Sequence, residues 1–270
     1  MQTLRGLLRE GRLPVLEARM LWQHVLGVTR TWLIAHDDQP IPEERVAAYR
    51  ELEARRLAGE PMAYLVGERE FMGHTFRVTP AVLIPRPETE LLVETAVKLL
   101  AGRPGAKVLD LGTGSGAIAI SIALACPQAE VEATDLSADA LQLARDNAQA
   151  LGASVAFHQG SWYQALPSGK VFDLIVSNPP YIPVGDPHLE EGDLRFEPPM
   201  ALSDGGDGLG AYREIVAGAA RHLQAGGSLY VEHGWDQADA VCELLRQAGA
   251  HAVHSLPDLA GILRISGGHF

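Results

Sequence analysis

Two short stretches of this chain carry residue types and spacings that chemistry can use. The first is Asn178-Pro179-Pro180-Tyr181, which follows the apolar run Leu174-Ile175-Val176. Two prolines remove two main-chain donors and lock φ, so such a corner is stiff and presents carbonyls rather than N–H groups. The Asn178 side-chain oxygen and the Pro179 main-chain oxygen can then accept both hydrogens of a planar NH2 group. A planar NH2 is a poor nucleophile, because its lone pair is delocalised. When its nitrogen attacks an electrophilic carbon it pyramidalises and gains positive charge, so its N–H bonds become better donors. Two fixed acceptors therefore stabilise the transition state more than the ground state. No strong general base is needed, because the alkylated nitrogen is acidic and its proton can leave afterwards. Asn178 is the expected catalytic residue. Pro179, Pro180 and Tyr181 are expected to help hold the acceptor, with the Tyr181 ring packed on the flat target group.

The second stretch is a glycine turn. Val108-Leu109-Asp110-Leu111 reads as a strand that runs into Gly112-Thr113-Gly114-Ser115-Gly116 and then an Ala/Ile-rich helix. In an open parallel sheet, ligands sit at the C-terminal strand ends, where glycines let a nucleotide moiety approach the main chain. Three alternate glycines exceed what a tight turn requires. Gly112-x-Gly114-x-x-Ala117 also fits a permissive dinucleotide fingerprint. Asp135 lies 23 residues after Gly112, near the ~20 expected for a carboxylate on a ribose.

The glycines alone do not separate a nicotinamide dinucleotide from S-adenosylmethionine. Asp110 before the turn leans towards the latter, as does Ser115-Gly116, which leaves little helix N-terminus for a pyrophosphate. S-Adenosylmethionine has no phosphate, and carboxylates such as Asp110 and Asp135 suit its sulfonium and ammonium. Asp135 is expected to accept the ribose hydroxyls, its plainer role being a helix cap before Ser137. Gly160-Ser161-Trp162 follows the next strand, where an indole offers a flat apolar wall to a purine or is simply a core aromatic. The residues expected to bind the cofactor are Gly112, Thr113, Gly114, Ser115, Gly116, Asp135, Trp162 and Asn178.

These corners need a scaffold. From Thr89 onward strands alternate with helices: Lys107–Asp110, Ala119–Ala125, Glu130–Asp135, Ala138–Ala150, Val155–His158 and Phe172–Val176. That alternation means βαβ units and a parallel sheet covered on both faces. Up to about Glu60 the apolar residues recur at helical spacing, as in Leu16, Met20, Leu21 and Val25, with helix starts at Pro14 and Pro42. Between Tyr64 and Ile84 the period changes to alternation around Gly73-His74, a β-hairpin signal. The expected division is a helical substrate-recognition domain over 1–75, a hairpin linker over 76–86 and a catalytic domain over 87–270. Gly267 and Gly268 are expected in a frayed tail, and Pro183 to Asp207 in a long loop.

The composition sets limits. At 270 residues and 47% hydrophobic, the chain can bury a sizeable core. Its formal charge of −12 argues against an affinity built on blanketing phosphates. Lys and Arg number 10 against 11 Asp and Glu through residue 75, and 12 against 23 beyond it, so the helical part is near neutral. Two cysteines, Cys126 and Cys242, provide no disulfide framework, and the ten histidines show no metal spacing. No signal peptide and no membrane span is expected, and the location is expected to be cytoplasmic.

Taken with the two corners, further segments carry a family resemblance. They are Ile84-Pro85-Arg86-Pro87-Glu88-Thr89-Glu90, Arg195-Phe196-Glu197-Pro198 through Ala201-Leu202, Asp207-Gly208-Leu209, Glu232-His233-Gly234-Trp235-Asp236-Gln237, and Asp258-Leu259-Ala260-Gly261 with Arg264. Over essentially its whole length the chain resembles the HemK/PrmC family of release factor glutamine methyltransferases. The resemblance implies an α/β fold: a class I, Rossmann-like methyltransferase with a seven-stranded, mostly parallel sheet ending in an antiparallel hairpin, and a small helical N-terminal domain. It implies S-adenosylmethionine as donor, S-adenosylhomocysteine as product and no metal. The implied acceptor is the glutamine of the Gly-Gly-Gln motif in class 1 peptide chain release factors, with no direct nucleic-acid or membrane binding. One departure is Ser161, where the family often carries Asp.

Asn-Pro-Pro-Tyr is shared with N6-adenine methyltransferases of nucleic acids, the alternative reading. That reading predicts a basic groove, which an acidic chain with a near-neutral extra module does not supply. A non-catalytic nucleotide-binding adaptor predicts a broken tetrad or glycine turn, and both are intact. Arg86 and Glu90 are candidates for the acceptor pocket, and Glu197 for a loop folded over it. Glu232 reads as a structural strand end rather than a catalytic group.

Overall fold

A computed structural model describes residues 2–270. The chain divides into two compact units between Glu68 and Arg69. The first is helical: α1 (Leu4–Glu10), α2 (Val15–Leu26), α3 (Arg30–Ala35), α4 (Glu43–Leu57) and α5 (Met62–Val66). Thr3 and Thr29 cap α1 and α3 by accepting from the N–H of Gly6 and Trp32. Pro14, Pro42 and Pro61 precede α2, α4 and α5, where a missing N–H leaves no helical bond unmade. The apolar stripes meet in one core that includes Leu4, Leu21, Leu33 and Val46, with Trp22 and Tyr49 stacked at 4.2 Å.

Strands β1 (Glu68–Phe71) and β2 (His74–Arg77) form a hairpin turned at Met72 and Gly73, both at positive φ. Such a two-residue turn matches the twist of the flanking strands. Phe71 and Phe76 are buried in the core of the second unit, which puts the division ahead of the boundary expected at residue 75.

The rest of the second unit runs α6 (Glu90–Leu100), β3 (Lys107–Leu111), α7 (Ala117–Ala125), β4 (Glu130–Asp135), α8 (Ala138–Leu151), β5 (Val155–Gln159), β6 (Phe172–Ser177), α9 (Pro199–Leu202), α10 (Gly210–His222), β7 (Leu223–Glu232), α11 (Ala238–Gln247), β8 (His251–Pro257) and β9 (Leu263–His269). Seven strands form one sheet in the order β5-β4-β3-β6-β7-β9-β8. All pairings through β7 are parallel, and β9 runs antiparallel to both β7 and β8. Residues alternate between two cores, as the strand period of two demands. Leu174 and Val176 of β6 pack with Leu92 and Val93 of α6 and Ile122 of α7, whereas Ile175 packs with Tyr212 and Ile215 of α10 and Val241 of α11.

Two expectations are corrected. Gly267 and Gly268 lie within β9, paired with Tyr230 and Leu229, and are not a frayed tail. A Cβ on Gly267 would run into the Tyr230 ring, so the glycine marks close approach of a neighbouring side chain. The segment from Pro183 to Asp207 is not an open loop either. It holds two 3-10 turns, Pro187–Glu190 and Leu194–Phe196, followed by α9.

Candidate active site

Strand order and register bring the two corners together. β3 has β4 on one side and β6 on the other, so a crevice opens at their C-terminal ends. Leu111 pairs with Thr134 and with Ser177, and Asp135 pairs with Gln159. One residue beyond these level pairs, Gly112, Gly160 and Asn178 leave the sheet side by side. They line a cleft of about 1130 Å³, part of it open to solvent.

The glycine turn is tied from below and beside. Gly112 and Thr113 both donate N–H to the Thr134 carbonyl, at 2.9 and 3.0 Å. The Thr113 hydroxyl donates to Asp110 Oδ2 at 2.6 Å. Asp110 is fully buried, and its other oxygen has no partner among the described residues. Burial pushes its carboxyl up to about 7, against the hydrogen bonds from Thr113 and the Ala119 main chain. Asp110 therefore braces the turn from beneath and does not reach the cleft. Asn147 of α8, which the sequence reading missed, donates to the Ser115 carbonyl at 2.9 Å while bonding both main-chain groups of Arg77. A lone amide on the buried face of an otherwise amphipathic helix was the available signal.

Asp135 enters the cleft with its carboxylate held on two sides. Oδ2 accepts from Gly114 N at 2.8 Å and Oδ1 from Ser137 N at 2.9 Å. Burial raises its pKa, and those two N–H groups oppose the rise. Each oxygen keeps lone pairs for a diol. The helix cap is Ser137 itself, which accepts from Ala140 N. Trp162 sits at φ 44 in a 3-10 turn and lines the cleft beside Ser161. A Cβ on Gly112 would come 3.3 Å from the Trp162 ring, so indole and glycine form a cradle that only glycine leaves open.

Across the cleft, Asn178 donates Nδ2–H to Thr89 Oγ1 at 3.2 Å. Among the described residues nothing donates to its Oδ1, which is left to the cleft. Asn178 and Pro180 belong to the lining, together with Gly112, Thr113, Gly114, Ser115, Asp135 and Trp162. Pro179 and Tyr181 are not part of it, and Gly116 serves the start of α7 instead. Tyr181 packs on the α10–α11 side, its carbonyl accepting from Gln237 Nε2 at 2.9 Å, and burial raises its phenol pKa. Arg86 lines the rim and donates to Glu197 Oε1 at 2.5 Å. The Glu197 side chain is wholly buried, and burial raises its pKa more than Arg86 lowers it. This pair pins Pro198, Met200 and Ala201 over the cleft. Glu90 accepts from Met72 N and thereby anchors the hairpin rather than the rim.

A glycine cradle against an indole, with a carboxylate beside it and no cluster of cations, fits an adenosine with a diol and a sulfonium. Carbonyl-rich geometry at Asn178 fits a neutral NH2. Fold and site together define a class I S-adenosylmethionine-dependent methyltransferase. Residues 1–67 match the PrmC N-terminal domain and residues 87–188 the methyltransferase small domain. The release factor glutamine methyltransferase of Bordetella pertussis is 62% identical over 269 residues, covering 100% of both chains. That of Burkholderia pseudomallei is 54% identical, over 98% of this chain and 95% of the relative. This chain belongs to the release factor glutamine methyltransferase family.

Solved structures share the fold at lower identity. A T. thermophilus 16S rRNA methyltransferase in complex with AdoMet and guanosine superposes with a TM-score of 0.57 at 23% identity, over 75% of this chain and 49% of that one. A methyltransferase from Pyrococcus furiosus gives 0.55 at 20% identity, over 82% and 98%. Among the described residues no helix is long and apolar enough to cross a membrane.

Proposed function

We propose that this chain transfers a methyl group from S-adenosylmethionine to the side-chain amide nitrogen, N5, of the glutamine in the Gly-Gly-Gln motif of class 1 peptide chain release factors. The observation that carries the reading is Asn178. Its NH2 is committed to Thr89, so its carbonyl faces a cleft that a glycine cradle borders on the other side. Relatives up to 62% identical over the full chain bear the name of this activity.

When bound, S-adenosylmethionine supplies an electrophilic methyl on a sulfonium. Gly112 to Gly114, Asp135 and Trp162 are the residues that would hold it. Asn178 Oδ1 is assigned one N–H of the glutamine amide, and the Pro179 carbonyl, on the same corner though outside the cleft lining, is assigned the other. They draw positive charge onto these hydrogens as the nitrogen lone pair leaves conjugation. Both acceptors sit on a corner with two prolines, so little reorganisation is needed at the moment of reaction. Phe71, Val82, Ile118 and Met200 make much of the wall apolar, which excludes water from the acceptors. The methylated amide then loses its extra proton to solvent without a dedicated base.

The helical unit is assigned a second contact on the release factor, remote from the glutamine, which raises affinity without touching the chemistry. Cytoplasmic location and a reaction without metal complete the reading.

The test offers labelled methyl donor to purified class 1 release factor, DNA and RNA side by side, with mass spectrometry of the Gly-Gly-Gln peptide. A single methyl on that glutamine is expected, with Asn178→Ala losing transfer and keeping donor binding. Labelling of nucleic acid instead, or full activity in Asn178→Ala, overturns the reading.

A further inference from the structure

Glu232 is the last residue of β7, and its neighbour Val231 pairs with Ser177, the residue before Asn178. The register therefore sets its carboxyl beside the Asn178 corner. Glu232 is buried to 2% exposure, and its Oε2 has no partner among the described residues. The carboxyl lies close enough to the Thr89 hydroxyl and the Asn178 side chain for both to favour its charged form. Arg264 is the cation whose charge it feels, yet Arg264 is engaged with Asp258 at 3.1 Å. A buried carboxyl with an unpartnered oxygen and no ion pair of its own destabilises the fold unless it does something else.

An amide side chain has nearly the same shape either way round, so its contacts decide which end faces the cleft. Asn178 Nδ2 donates to the Thr89 hydroxyl. That hydroxyl can accept only while its own proton points elsewhere, and a Glu232 carboxylate is the acceptor that draws it away. Without the carboxylate, the Thr89 proton is free to turn to Asn178 Oδ1. The amide then rests with its NH2 in the cleft, donor against donor for an incoming NH2.

We propose that Glu232, working through Thr89, is a positioning residue that keeps the Asn178 carbonyl turned towards the acceptor amide, and that protonation of Glu232 releases it. The proposal rests on the function assigned to Asn178 above. The surroundings place the switch near neutrality. Burial pushes the Glu232 carboxyl up to about 7. Glu88 adds to the rise, while Thr89, Arg264 and Asn178 oppose it. The other titratable groups facing it, the Tyr181 and Tyr212 phenols, are held neutral by burial. A glutamine amide does not titrate in this range, so an acid limb in turnover belongs to the enzyme.

The experiment measures release factor methylation from pH 5.5 to 8.5 in the full-length wild type, Glu232→Gln, Thr89→Val and Thr89→Ser, with donor affinity measured separately. Wild-type kcat is expected to fall on the acid side. Glu232→Gln is expected to lower kcat at pH 8 by about tenfold, as for one misaligned charge-assisted contact, with donor Kd within about twofold and no acid limb. Should Glu232→Gln not fold, the Thr89 pair decides. Valine keeps the volume and is expected to reproduce both effects, and serine to restore rate and limb. Burial also pushes the Asp110 carboxyl up to about 7, but it sits under the glycine turn, so its titration is read in donor affinity, measured separately, and not in kcat at saturating donor. Wild-type kcat or a persisting acid limb in Glu232→Gln, or in Thr89→Val, overturns the proposal. Inactive Asn178→Ala beside fully active Glu232→Gln sinks the positioning role alone; active Asn178→Ala sinks the function reading beneath it.

Discussion

Two alanine substitutions in the same turn should fail in opposite ways. Gly112 and Gly116 have φ of 73° and 84°, so either Cβ brings left-handed strain of about 1–2 kcal/mol. Their surroundings differ. At Gly116 the new Cβ would lie 2.6 Å from Ile120 Cδ1 and 3.1 Å from Ala144 Cβ, in the packed contact between α7 and α8. Overpacking of that kind adds roughly 1–3 kcal/mol. The total of about 2–5 kcal/mol lowers Tm by roughly 4–20 °C in a unit of this size. At Gly112 the Cβ meets only the Trp162 ring at 3.3 Å, and that ring borders the open cleft and can tilt. Gly112→Ala should therefore lower Tm by only a few degrees, about 2–8 °C. It should also push the indole into the space an adenine needs, weakening donor binding by on the order of tenfold or more, about 1.4 kcal/mol. Differential scanning calorimetry and isothermal titration with S-adenosylhomocysteine read the two quantities. The reasoning fails if Gly112→Ala destabilises more than Gly116→Ala, or if it binds the product as tightly as wild type.

Removing Arg86 strands a buried carboxylate. Arg86→Met should cost about 3–5 kcal/mol at neutral pH, and Glu197→Gln clearly less, by urea unfolding. The folded Glu197 pKa is already above its unfolded value and rises further without Arg86, so the native state holds the proton more tightly. Arg86→Met should regain stability relative to wild type as pH falls towards 5; an offset constant with pH refutes this. Asp110 carries the same sign, with a folded pKa of about 7 above an unfolded value near 4. Its contribution to stability declines as pH rises across that window. The Tm difference between Asp110→Asn and wild type should therefore be more positive at pH 8 than at pH 5, and a flat difference argues that Asp110 is ionised throughout.

Much of the fold follows from local rules that can be read along the chain. The strand at Glu130–Asp135 has the bounds its pattern predicts, because apolar alternation and a following Ser cap are properties of neighbours in sequence. Glycine turn and proline corner were legible for the same reason, since φ restrictions act on the residue that carries them. The misreading of Gly267 and Gly268 has the complementary cause. Glycine reads locally as a breaker, whereas here it makes room for a Tyr230 ring 37 residues upstream of Gly267.

The chain's own order of residue types thus decided that there would be a parallel sheet, a nucleotide-sized turn and a carbonyl-rich corner. Which groups support them was decided only in three dimensions. Asp110 could serve a ligand or a turn until burial removed it from the cleft, and Glu232 stayed a plain strand end until β7 settled beside β6. Hydrogen-bond partners of this kind, Thr89 with Asn178 or Asn147 with Ser115, are tens of residues apart. Such contacts depend on strand order and register, which arise from the packing of the whole core and leave no mark in the spacing of adjacent residues.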